Sequence, residues 1–360
     1  MTVLVAIIAD DLTGALDTGT PFVEVGLRVV VAVDVDAAAE AVATGAHVVV
    51  VNTASRSLPA ADAAAEVEKA AAAFQSVTPT IVFKKIDSRL KGNVREETEA
   101  LATTFGLSRA MIAPAVPDQH RFTRNGMVTG HGVPEPLPIA PLFAGSSLPI
   151  DIVDASSDAD LDRAITALDG ATTIAVGARG LGSALARRFG RKDRAGLSPF
   201  QRTQRTLFAL GSHDPITLAQ MEALLQSGML AGSRDAPAGA LAVDALPHPL
   251  PLLLRCTGAI QQDATSVAQI FAAGVTRLIE QTRPDMLMMG GGDTAHAILR
   301  RLGVQLLEPK GEIEAGIPWF EVRCANGRQI RCAVKSGGFG NAQSLIKVIE
   351  ANPAKREAGQ

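Results

Sequence analysis

Short apolar runs rich in valine and isoleucine recur through the first half of the chain, separated by alanine-rich stretches with helical spacing. The runs are VLVAII from Val3, RVVVAV from Arg28, HVVVVN from His47, TIVFKKI from Thr80 and AMIAPA from Ala110. Short runs that alternate with helices are typical of buried parallel strands joined by crossover helices. The pattern predicts an α/β protein that begins with a doubly wound, mostly parallel sheet.

Helix boundaries are predicted between these runs. Pro59 is expected in the first turn of a helix over AADAAAEVEKAAAAF. Asn93 is expected to cap the helix VREETEALATTF, which Gly106 ends. The first helix is predicted from Thr13 to Gly26, and because Pro21 lies inside it, we expect it to be kinked or short.

Residues 114–148 are rich in proline and glycine and are predicted to be irregular, with a hairpin turn at Asn125-Gly126. Long irregular segments inside compact domains are often functional loops. A further unit follows, with the strand PIDIV, the helix DADLDRAITAL and the strand TTIAVG.

The second half of the chain begins after a change in composition. Residues 190–205, GRKDRAGLSPFQRTQR, are basic and polar and are interpreted as a linker. A second unit then runs through TLFALGSHDPIT, GALAVD, PLLLRC and PDMLMMGGGDTAHAILRRLG, and ends in WFEVRCANGRQIRCAVKSGGFG. The last stretch predicts a hairpin turning at Asn326-Gly327, a glycine turn and a final helix. We therefore expect two αβα-type domains, residues 1–190 and a mixed αβ domain at 205–360.

Composition narrows the classes of partner and the compartment. The chain of 360 residues carries a net charge of -3, which gives no electrostatic reason to expect a nucleic acid or an anionic membrane. Cys256, Cys324 and Cys332 lack CxxC spacing, which argues against a zinc site or a disulfide framework. The first apolar run is too short to cross a bilayer and has no signal-peptide flanks. A cytoplasmic protein is predicted.

The first predicted strand ends in two carboxylates, Asp10 and Asp11. Ligands of open parallel sheets bind beyond the carboxyl ends of the strands, so this turn is the leading candidate for an active site. Two neighbouring strand ends add further polar groups, which are Asn52, Thr53, Ser55, Arg56, Lys84, Lys85, Asp87 and Ser88. Such a rim could hold a carboxylate and sugar hydroxyls and could take a proton from an alcohol. Helix caps and a solvated strand end remain the alternative.

Two glycine turns in the second half predict a phosphate site. In the stretch MLMMGGGDTA, a strand, a glycine turn and a helix N-terminus follow one another, an arrangement that suits an anion. A tight turn without a ligand explains this stretch alone almost as well. The second turn, KSGGFG from Lys335, adds a cation. Neither turn matches the Walker A or GxGxxG pattern.

The other candidate side chains carry weaker signals. His120 and Arg121 could contact an anion or lie on a surface loop, and His213 could lie near a nucleotide or be exposed. His296 is interpreted as a surface residue and Cys256 as a core residue, because nothing nearby in sequence would activate the thiol.

Seven motifs in order resemble the four-carbon acid sugar kinases, a family once catalogued only as a domain of unknown function, which includes D-threonate, D-erythronate and 3-oxotetronate kinases. The motifs are IADDLTGALDT, NTASRS, KKIDSRLKGN, APAVP, GSHDPIT, GGGDTA and KSGGFG, and they span nearly the whole chain. The resemblance implies an N-terminal sugar-acid domain, a C-terminal nucleotide domain and ATP-dependent phosphorylation of a terminal C4 hydroxyl.

The resemblance also implies roles for matching residues. Acid-sugar contacts would be Asp10, Asp11, Arg56, Lys85, Asp87 and Ser88. ATP contacts would be Ser212, Gly291, Gly292, Asp293, Thr294, Ser336 and Gly337. In the mechanism that follows, Mg²⁺ and Lys335 offset the phosphate charge, Arg56 and Lys85 hold the substrate carboxylate, and Asp11 or Asp87 accepts the hydroxyl proton. Closure about the linker would bring donor and acceptor together. The metal ligands are not assigned.

The chain departs from the family pattern near the substrate side. It reads DSRLKGN where members commonly read DSTLRGN, it has His120-Arg121 at a Gly-Arg pair, and the segment after Gly132 is shortened. The stereoisomer used and the oligomeric state, a homo-oligomer included, stay open. Two other functions are weighed, a magnesium-dependent phosphohydrolase and a sugar-acid sensor. The phosphohydrolase superfamily has a DxDxT motif, which Asp10-Asp11-Leu12-Thr13 does not match. A sensor function does not explain the two glycine turns.

Overall fold

A computed structural model describes residues 3–190, 199–242, 249–258, 264–323 and 327–349. The chain divides into two compact units, residues 1–197 with 305–309 and residues 198–304 with 310–360. Most of the predicted linker, residues 191–198, lies outside the described residues. Residues 305–309, which the sequence placed with the second domain, belong to the first unit instead.

Strands and helices are numbered along the chain. The strands are β1 Val5–Ala9, β2 Val29–Ala32, β3 Val48–Asn52, β4 Ile81–Lys85, β5 Arg109–Ala113, β6 Arg121–Arg124, β7 Met127–Gly130, β8 Val133–Pro138, β9 Ile150–Ile152, β10 Thr173–Gly177, β11 Thr206–Leu210, β12 Gly232–Pro237, β13 Leu252–Thr257, β14 Met286–Gly290, β15 Leu306–Leu307, β16 Pro309–Glu312, β17 Pro318–Arg323 and β18 Gln329–Lys335. The α-helices are α1 Leu12–Glu24, α2 Ala38–Ala43, α3 Ala60–Ala72, α4 Val94–Phe105, α5 Asp158–Ala167, α6 Arg179–Phe189, α7 Pro215–Gln226, α8 Ala264–Thr282 and α9 Gly292–Arg301.

The first unit is built on an eight-stranded sheet in the order β15-β2-β3-β1-β4-β10-β5-β9. All pairings are parallel except that of β15 with β2, so the predicted doubly wound, mostly parallel sheet is confirmed. Ala9 pairs with Asn52 on one side and with Lys85 on the other. The residues that follow β1, β3 and β4 therefore meet at one edge of the sheet.

Strand β15 explains why residues 305–309 join the first unit. Leu306 and Leu307 pair with β2, the outermost parallel strand, and Val33 N donates to Gln305 O at 2.9 Å. Arg28 Nη2 lies 2.8 Å from Glu308 Oε1. An unpaired strand edge leaves its backbone groups without partners, and this short segment covers that edge.

Helix α1 continues through Pro21 to Glu24. Proline has no N–H, so the carbonyl of Asp17, four residues earlier, loses its helical partner. Arg179 Nη1, on α6, donates to that carbonyl at 2.9 Å. The second helix replaces the missing bond, which is why the proline does not end α1.

The predicted caps of α3 and α4 are in the expected places, with one difference in chemistry. Pro59 stands at the position just before the first helical residue of α3. Gly106 ends α4 with a left-handed φ of 67°, as glycine readily does. Asn93 precedes α4, but its side chain does not cap the helix; its Nδ2 donates to Leu58 O at 2.9 Å.

The prediction that residues 114–148 are irregular is wrong. The segment contains a three-stranded antiparallel sheet, β6-β7-β8, and the predicted hairpin turn is confirmed, with φ values of 50° at Asn125 and 70° at Gly126. Three of its six prolines, Pro134, Pro136 and Pro138, lie in β8, an edge strand, where a missing N–H is tolerated.

The second unit is built on a seven-stranded sheet in the order β12-β13-β11-β14-β18-β17-β16. Strands β12, β13, β11, β14 and β18 are parallel and β17 is antiparallel to β18, which confirms a mixed αβ unit. The edge strand next to β13 is Gly232–Pro237. The stretch GALAVD, through which the second unit was expected to continue, is irregular at residues 239–242, and its remainder is not described.

The end of the chain agrees with the sequence in part. Strands β17 and β18 form the predicted hairpin, although Asn326 at its turn is outside the described residues. The predicted last helix is, as far as residue 349, only a short 3-10 helix at Ile346–Val348. Nowhere in the described ranges is a helix both long and apolar enough to cross a membrane.

Candidate functional site

The predicted rim at the edge of the first sheet centres on one guanidinium. Arg56 Nε and Nη2 donate to the two carboxylate oxygens of Asp10 at 2.7 and 2.9 Å, and Nη2 also donates to Asp11 Oδ1 at 2.7 Å. Asp87 Oδ2 lies 3.9 Å from Nη1. Bidentate pairs of this kind are strong and fix the geometry of both partners.

Asp10 is almost fully buried, with 3% of its surface exposed. Burial alone would raise the pKa of this carboxyl, but the positive charges of Arg56, Lys85 and Lys84 outweigh it and lower the pKa to about 2. Asp10 is therefore a permanent anion at neutral pH, and it holds Arg56 in place.

Asp11 begins helix α1, so the structural alternative weighed from the sequence is also correct. Its Oδ1 accepts from Gly14 N at 3.0 Å, and its Oδ2 accepts from the Thr13 hydroxyl. The DDLTG sequence thus supplies a helix cap and a site carboxylate in one residue, because the cap oxygen Oδ1 also faces Arg56.

The two adjacent lysines of β4 have different surroundings, because consecutive strand residues face opposite sides of a sheet. Lys84 is fully buried against α4, where its Nζ lies 2.6 Å from Glu97 Oε2, and Ser55 Oγ donates to Glu97 Oε1 at 2.8 Å. Lys85 lies on the side of α1, with its Nζ 3.8 Å from Asp11 Oδ1. Only Lys85 reaches the rim.

Gly14 makes room for the Lys85 ammonium. A Cβ atom at position 14 would lie 2.1 Å from Lys85 Nζ and 2.5 Å from Asp11 Oδ1. The glycine of the first turn is therefore required by a side chain that approaches from another strand. The sequence predicted the turn but not this contact.

Asp17 is a site residue that sequence reasoning missed. It lies one helical turn beyond Gly14, is 4% exposed and accepts from Thr18 Oγ1 at 3.0 Å. Burial raises the pKa of Asp17 to about 7, against the lowering effect of Lys85 and Arg179. Asp17 and Asp11 in turn help raise the pKa of Lys85, although burial opposes them. The repeat of aspartate in the IADDLTGALDT motif was the available signal.

The residues after β4 complete the rim. Asp87 Oδ1 accepts from Arg89 N at 2.9 Å, and buried Ser88 accepts from Arg121 Nη1 at 2.6 Å. Arg121 is itself 1% exposed and donates through Nε to His131 O at 2.9 Å, so it is not the surface residue weighed from the sequence. His120 is exposed and has a left-handed φ of 53°, a conformation that suits the glycine of the family pattern.

In the second unit, three turns meet at the carboxyl edge of the sheet, since Leu210, Gly290 and Lys335 are in register. A Cβ atom at Gly211 would lie 2.0 Å from Thr294 Oγ1, and one at Gly337 would lie 2.4 Å from Ser212 Oγ. The structure therefore brings together the predicted residues Ser212, Gly291 to Thr294, and Ser336-Gly337. Glycine at positions 211 and 337 leaves room for these two hydroxyl groups.

The starts of two helices flank these turns. Asp214 caps α7 by accepting from Ile216 N at 3.0 Å. Gly291 precedes α9 with a φ of 101° and makes no side-chain cap hydrogen bond. An α-helix that begins on glycine presents its first N–H groups and its positive dipole end to an anion.

Three candidate side chains remain, those of two histidines and one cysteine. His213 is partly buried between Ser212 and Asp214, and His296 is partly buried within α9. Cys256 is buried, and burial raises the pKa of its thiol, which agrees with a core residue.

Lys335 does not face the site as the sequence suggested. Its side chain is fully buried, and its Nζ donates to the carbonyl oxygens of Ser336, Gly337 and Phe339 and to Thr217 Oγ1. Burial lowers the pKa of Lys335 to about 7, which the negative charges of Asp214 and Glu314 oppose. The ammonium is directed into its own turn because those carbonyls converge on it.

Within the described ranges, no group of three or more histidine, cysteine or acidic residues could hold a metal ion. Mg²⁺ commonly takes one or two carboxylates together with substrate phosphates, so the side chains at the turns remain compatible with it. Asp214 and Asp293 are the carboxylates at these turns.

Comparison with known proteins agrees with this division of sites. Residues 5–138 match the model of a sugar-binding N-terminal domain, and residues 254–345 match that of a nucleotide-binding C-terminal domain. The protein is thus of the class that joins a sugar-binding to a nucleotide-binding domain. Similar proteins include D-threonate kinase of Bordetella bronchiseptica, 28% identical over 98% of both chains, and 3-oxo-tetronate kinase of Pseudomonas fluorescens, 23% identical over 96% of both chains. The chain belongs to the four-carbon acid sugar kinase family.

Solved structures share the fold. A Salmonella typhimurium LT2 protein matches with a TM-score of 0.70 at 20% identity, over 98% of this chain and 99% of that one. A Haemophilus influenzae protein matches with a TM-score of 0.63 at 19% identity, over 95% and 98% of the two chains. At these identities the likeness is one of architecture.

Proposed function

We propose that this protein is a kinase that transfers phosphate from ATP to the C4 hydroxyl of a four-carbon sugar acid, D-threonate or D-erythronate, with 3-oxotetronate as a further candidate substrate. The observation that carries the proposal is the rim of the first unit, where a buried lysine lies beside two aspartates in a region similar to sugar-binding domains. Full-length similarity to proteins named D-threonate and 3-oxo-tetronate kinase supports the reaction class.

Lys85 is the group we propose as the main partner of the substrate carboxylate. The nearest acidic oxygen, Asp11 Oδ1, is 3.8 Å from its Nζ, beyond hydrogen-bonding distance, so the ammonium keeps donors for a ligand. Arg56 uses Nε and Nη2 on Asp10 and Asp11 and would contribute through Nη1. The rim aspartates would then accept hydrogen bonds from the hydroxyl groups of the sugar acid, and Ser88 would form a hydrogen bond with one of these hydroxyls.

Asp87 is better placed than Asp11 to accept the proton of the attacking hydroxyl. Both oxygens of Asp11 already accept hydrogen bonds, from Gly14, Thr13 and Arg56. At Asp87, Oδ1 accepts from the backbone, whereas Oδ2 has Arg56 Nη1 at 3.9 Å as its nearest charged partner. In-line phosphoryl transfer depends mainly on positioning, so Asp11 would orient the acceptor and Asp87 would take its proton late.

The turns of the second unit would bind the phosphates of ATP. The proposed contacts are Ser212, Gly291, Gly292, Asp293, Thr294, Ser336 and Gly337. Two observations support them, namely that glycine occupies positions 211 and 337, where a Cβ atom would meet a neighbouring hydroxyl, and that α9 begins without a side-chain cap hydrogen bond. When bound, ATP would supply the transferable phosphoryl group, and Mg²⁺ would offset the negative charge of the phosphates. Asp214 and Asp293 would hold the ion together with the phosphates.

The test is direct. The purified protein is incubated with ATP, Mg²⁺ and a panel of D-threonate, D-erythronate, L-threonate and 3-oxotetronate, and ADP is measured. ADP release that depends on one of these acids is expected. Phosphate release from phosphosugars without ATP would favour a phosphohydrolase, and binding without turnover would favour a sensor.

Two variants separate the proposed roles of the carboxylates. Asp87→Asn should lower turnover by about 100-fold or more while ATP affinity stays near that of the wild type. Asp11→Asn should also lower turnover more than ATP affinity, because Arg56 and the start of α1 would shift. Near-normal turnover of Asp87→Asn would assign the proton to another group.

The proposal also covers the cellular location and the oligomeric state of the enzyme. Among the described residues, Cys256 and Cys332 are buried and are not joined in a disulfide, which supports the predicted cytoplasmic location. Light scattering of the active sample would determine whether the enzyme is a homo-oligomer.

A further inference from the structure

The ammonium of Lys335, at the end of β18, is surrounded by four hydrogen-bond acceptors. Its Nζ lies 2.7 Å from Ser336 O, 3.2 Å from Gly337 O, 3.2 Å from Phe339 O and 3.0 Å from Thr217 Oγ1. An ammonium has three N–H donors, so these four acceptors occupy all of them. No donor is left for a phosphate oxygen.

Helix α7 holds the same carbonyls from a second side. Thr217 Oγ1 donates to Gly337 O at 2.8 Å, and Gln220 Nε2 donates to Phe339 O at 3.0 Å. Both side chains are fully buried. The backbone oxygens of the glycine turn are thus collected inside the unit by Lys335 and α7.

The direction of the carbonyls determines the direction of the amides. In a trans peptide, the C=O of one residue and the N–H of the next point in opposite directions. Because the carbonyls of Ser336, Gly337 and Phe339 converge on Lys335, the N–H groups of the peptides they belong to, including those of Gly337 and Gly340, point away from it. Backbone N–H groups directed to one side of a turn favour the binding of an anion there.

We infer that Lys335 is a positioning residue, which gathers the carbonyls of residues 336–339 so that the opposite, amide side of the turn is shaped for the phosphates of the nucleotide. The inference deepens the proposed kinase function and rests on it. Lys335 acts from beneath the turn and does not contact the ligand. It therefore differs from a lysine that pairs directly with phosphate.

The protonation state of Lys335 gives this arrangement a pH dependence. A neutral amine has two donors and a lone pair, so loss of the proton leaves carbonyls of the turn without a partner. Burial lowers the pKa of Lys335 to about 7, and the charged groups that act against burial are Asp214, before α7, and Glu314, between β16 and β17. Nucleotide affinity should fall as the pH rises through this value.

The experiment measures ADP affinity by calorimetry between about pH 6 and about pH 9 for the wild type and Lys335→Met. At the lower pH, Lys335→Met should bind ADP about 10- to 100-fold more weakly, the range of a lost hydrogen bond to a charged group. The wild type should weaken with rising pH, and the variant should be flat. Arg234→Met, which removes an exposed cation on the edge strand β12, is the control and should keep wild-type affinity.

A second variant keeps the inference testable if Lys335→Met does not fold. Thr217→Val preserves the shape of the side chain but removes a hydroxyl that bonds both Lys335 and Gly337 O, and it should weaken ADP binding by about 3- to 10-fold. Wild-type affinity in either variant, or a wild-type affinity that does not change with pH, would overturn the inference. Failure of the wild type to bind ADP at all would instead refute the proposed function.

Discussion

Replacement of Lys84 by methionine should lower the stability of the fold, whereas replacement of the adjacent Lys85 should lower turnover. Lys84→Met leaves Glu97, which is 1% exposed, without its cation and with Ser55 as its remaining hydrogen-bond donor. Removing one partner of a buried ion pair typically lowers the free energy of unfolding by about 3–5 kcal/mol. With a urea slope of about 2–3 kcal/mol per molar, the midpoint should fall by about 1–2.5 M.

Lys85→Met should act on catalysis. The proposed carboxylate partner is lost, so turnover with the sugar acid should fall by about 100-fold or more, equal to about 2.7 kcal/mol in activation free energy. Stability should change less than in Lys84→Met, since no carboxylate lies within hydrogen-bonding distance of the Lys85 Nζ.

The stability assay must follow the first unit. The chain has no tyrosine and one tryptophan, Trp319, which lies in the second unit, so intrinsic fluorescence does not report on Lys84. Urea unfolding is therefore followed by circular dichroism, and hydrogen exchange in residues 81–85 locates the change. Lys69→Met, which breaks the exposed pair with Glu66, is the control and should leave the midpoint unchanged.

A double variant tests the reason for the loss. Lys84→Met with Glu97→Gln removes both charges and should recover at least about 2 kcal/mol relative to Lys84→Met alone. If Lys84→Met shifts the midpoint no more than Lys69→Met does, or if the double variant is no more stable than the single one, the buried pair does not support the sheet as argued.

Three further predictions follow from the two sites. Burial raises the pKa of Asp17 from 3.8 to about 7, so the folded state binds the proton of this carboxyl more tightly than the unfolded state does. The free energy of unfolding should therefore fall as the pH rises from about 4 to about 7, by up to about 4 kcal/mol. Asp17→Asn should flatten this slope in unfolding experiments. Gly14→Ala should raise the KM for the sugar acid and leave that for ATP unchanged, because its Cβ would displace an ammonium 2.1 Å away; equal effects on both would contradict this. Gly337→Ala, whose Cβ would lie 2.4 Å from a serine hydroxyl, should weaken ADP binding about tenfold, whereas Gly232→Ala, with its nearest atom at 3.6 Å, should not.

Much of the architecture was predictable because the strands carry their own signal. The runs around β1 and β3 are continuous and apolar and β4 begins with IVF, as in strands buried on both faces, and their ends were correctly expected at one edge. The segment that forms β6, β7 and β8 was missed, because short strands containing prolines have the composition of a loop. Strand β15 could not be found, since Leu306-Leu307 is defined only by its pairing with β2.

The sequence by itself determined which residues stand at the ends of strands. Asp10, Asp11, Arg56 and Lys85 follow or end apolar runs, and parallel pairing brings such positions together without further information. The glycines near Ser212 were likewise visible as turns. These are local properties, because strand length and turn chemistry are written in neighbouring residues.

Tertiary structure alone decided what each polar side chain does. Alternation along a strand requires Lys84 and Lys85 to face opposite sides, but only the packing of α1 and α4 determines which one meets the rim and which one meets Glu97. The Lys335 side chain points into the unit because its turn places three backbone carbonyl oxygens around Nζ. Burial and distance to charge depend on residues remote in sequence, and these quantities, not residue type, turn a polar group into a ligand, a cap or a support.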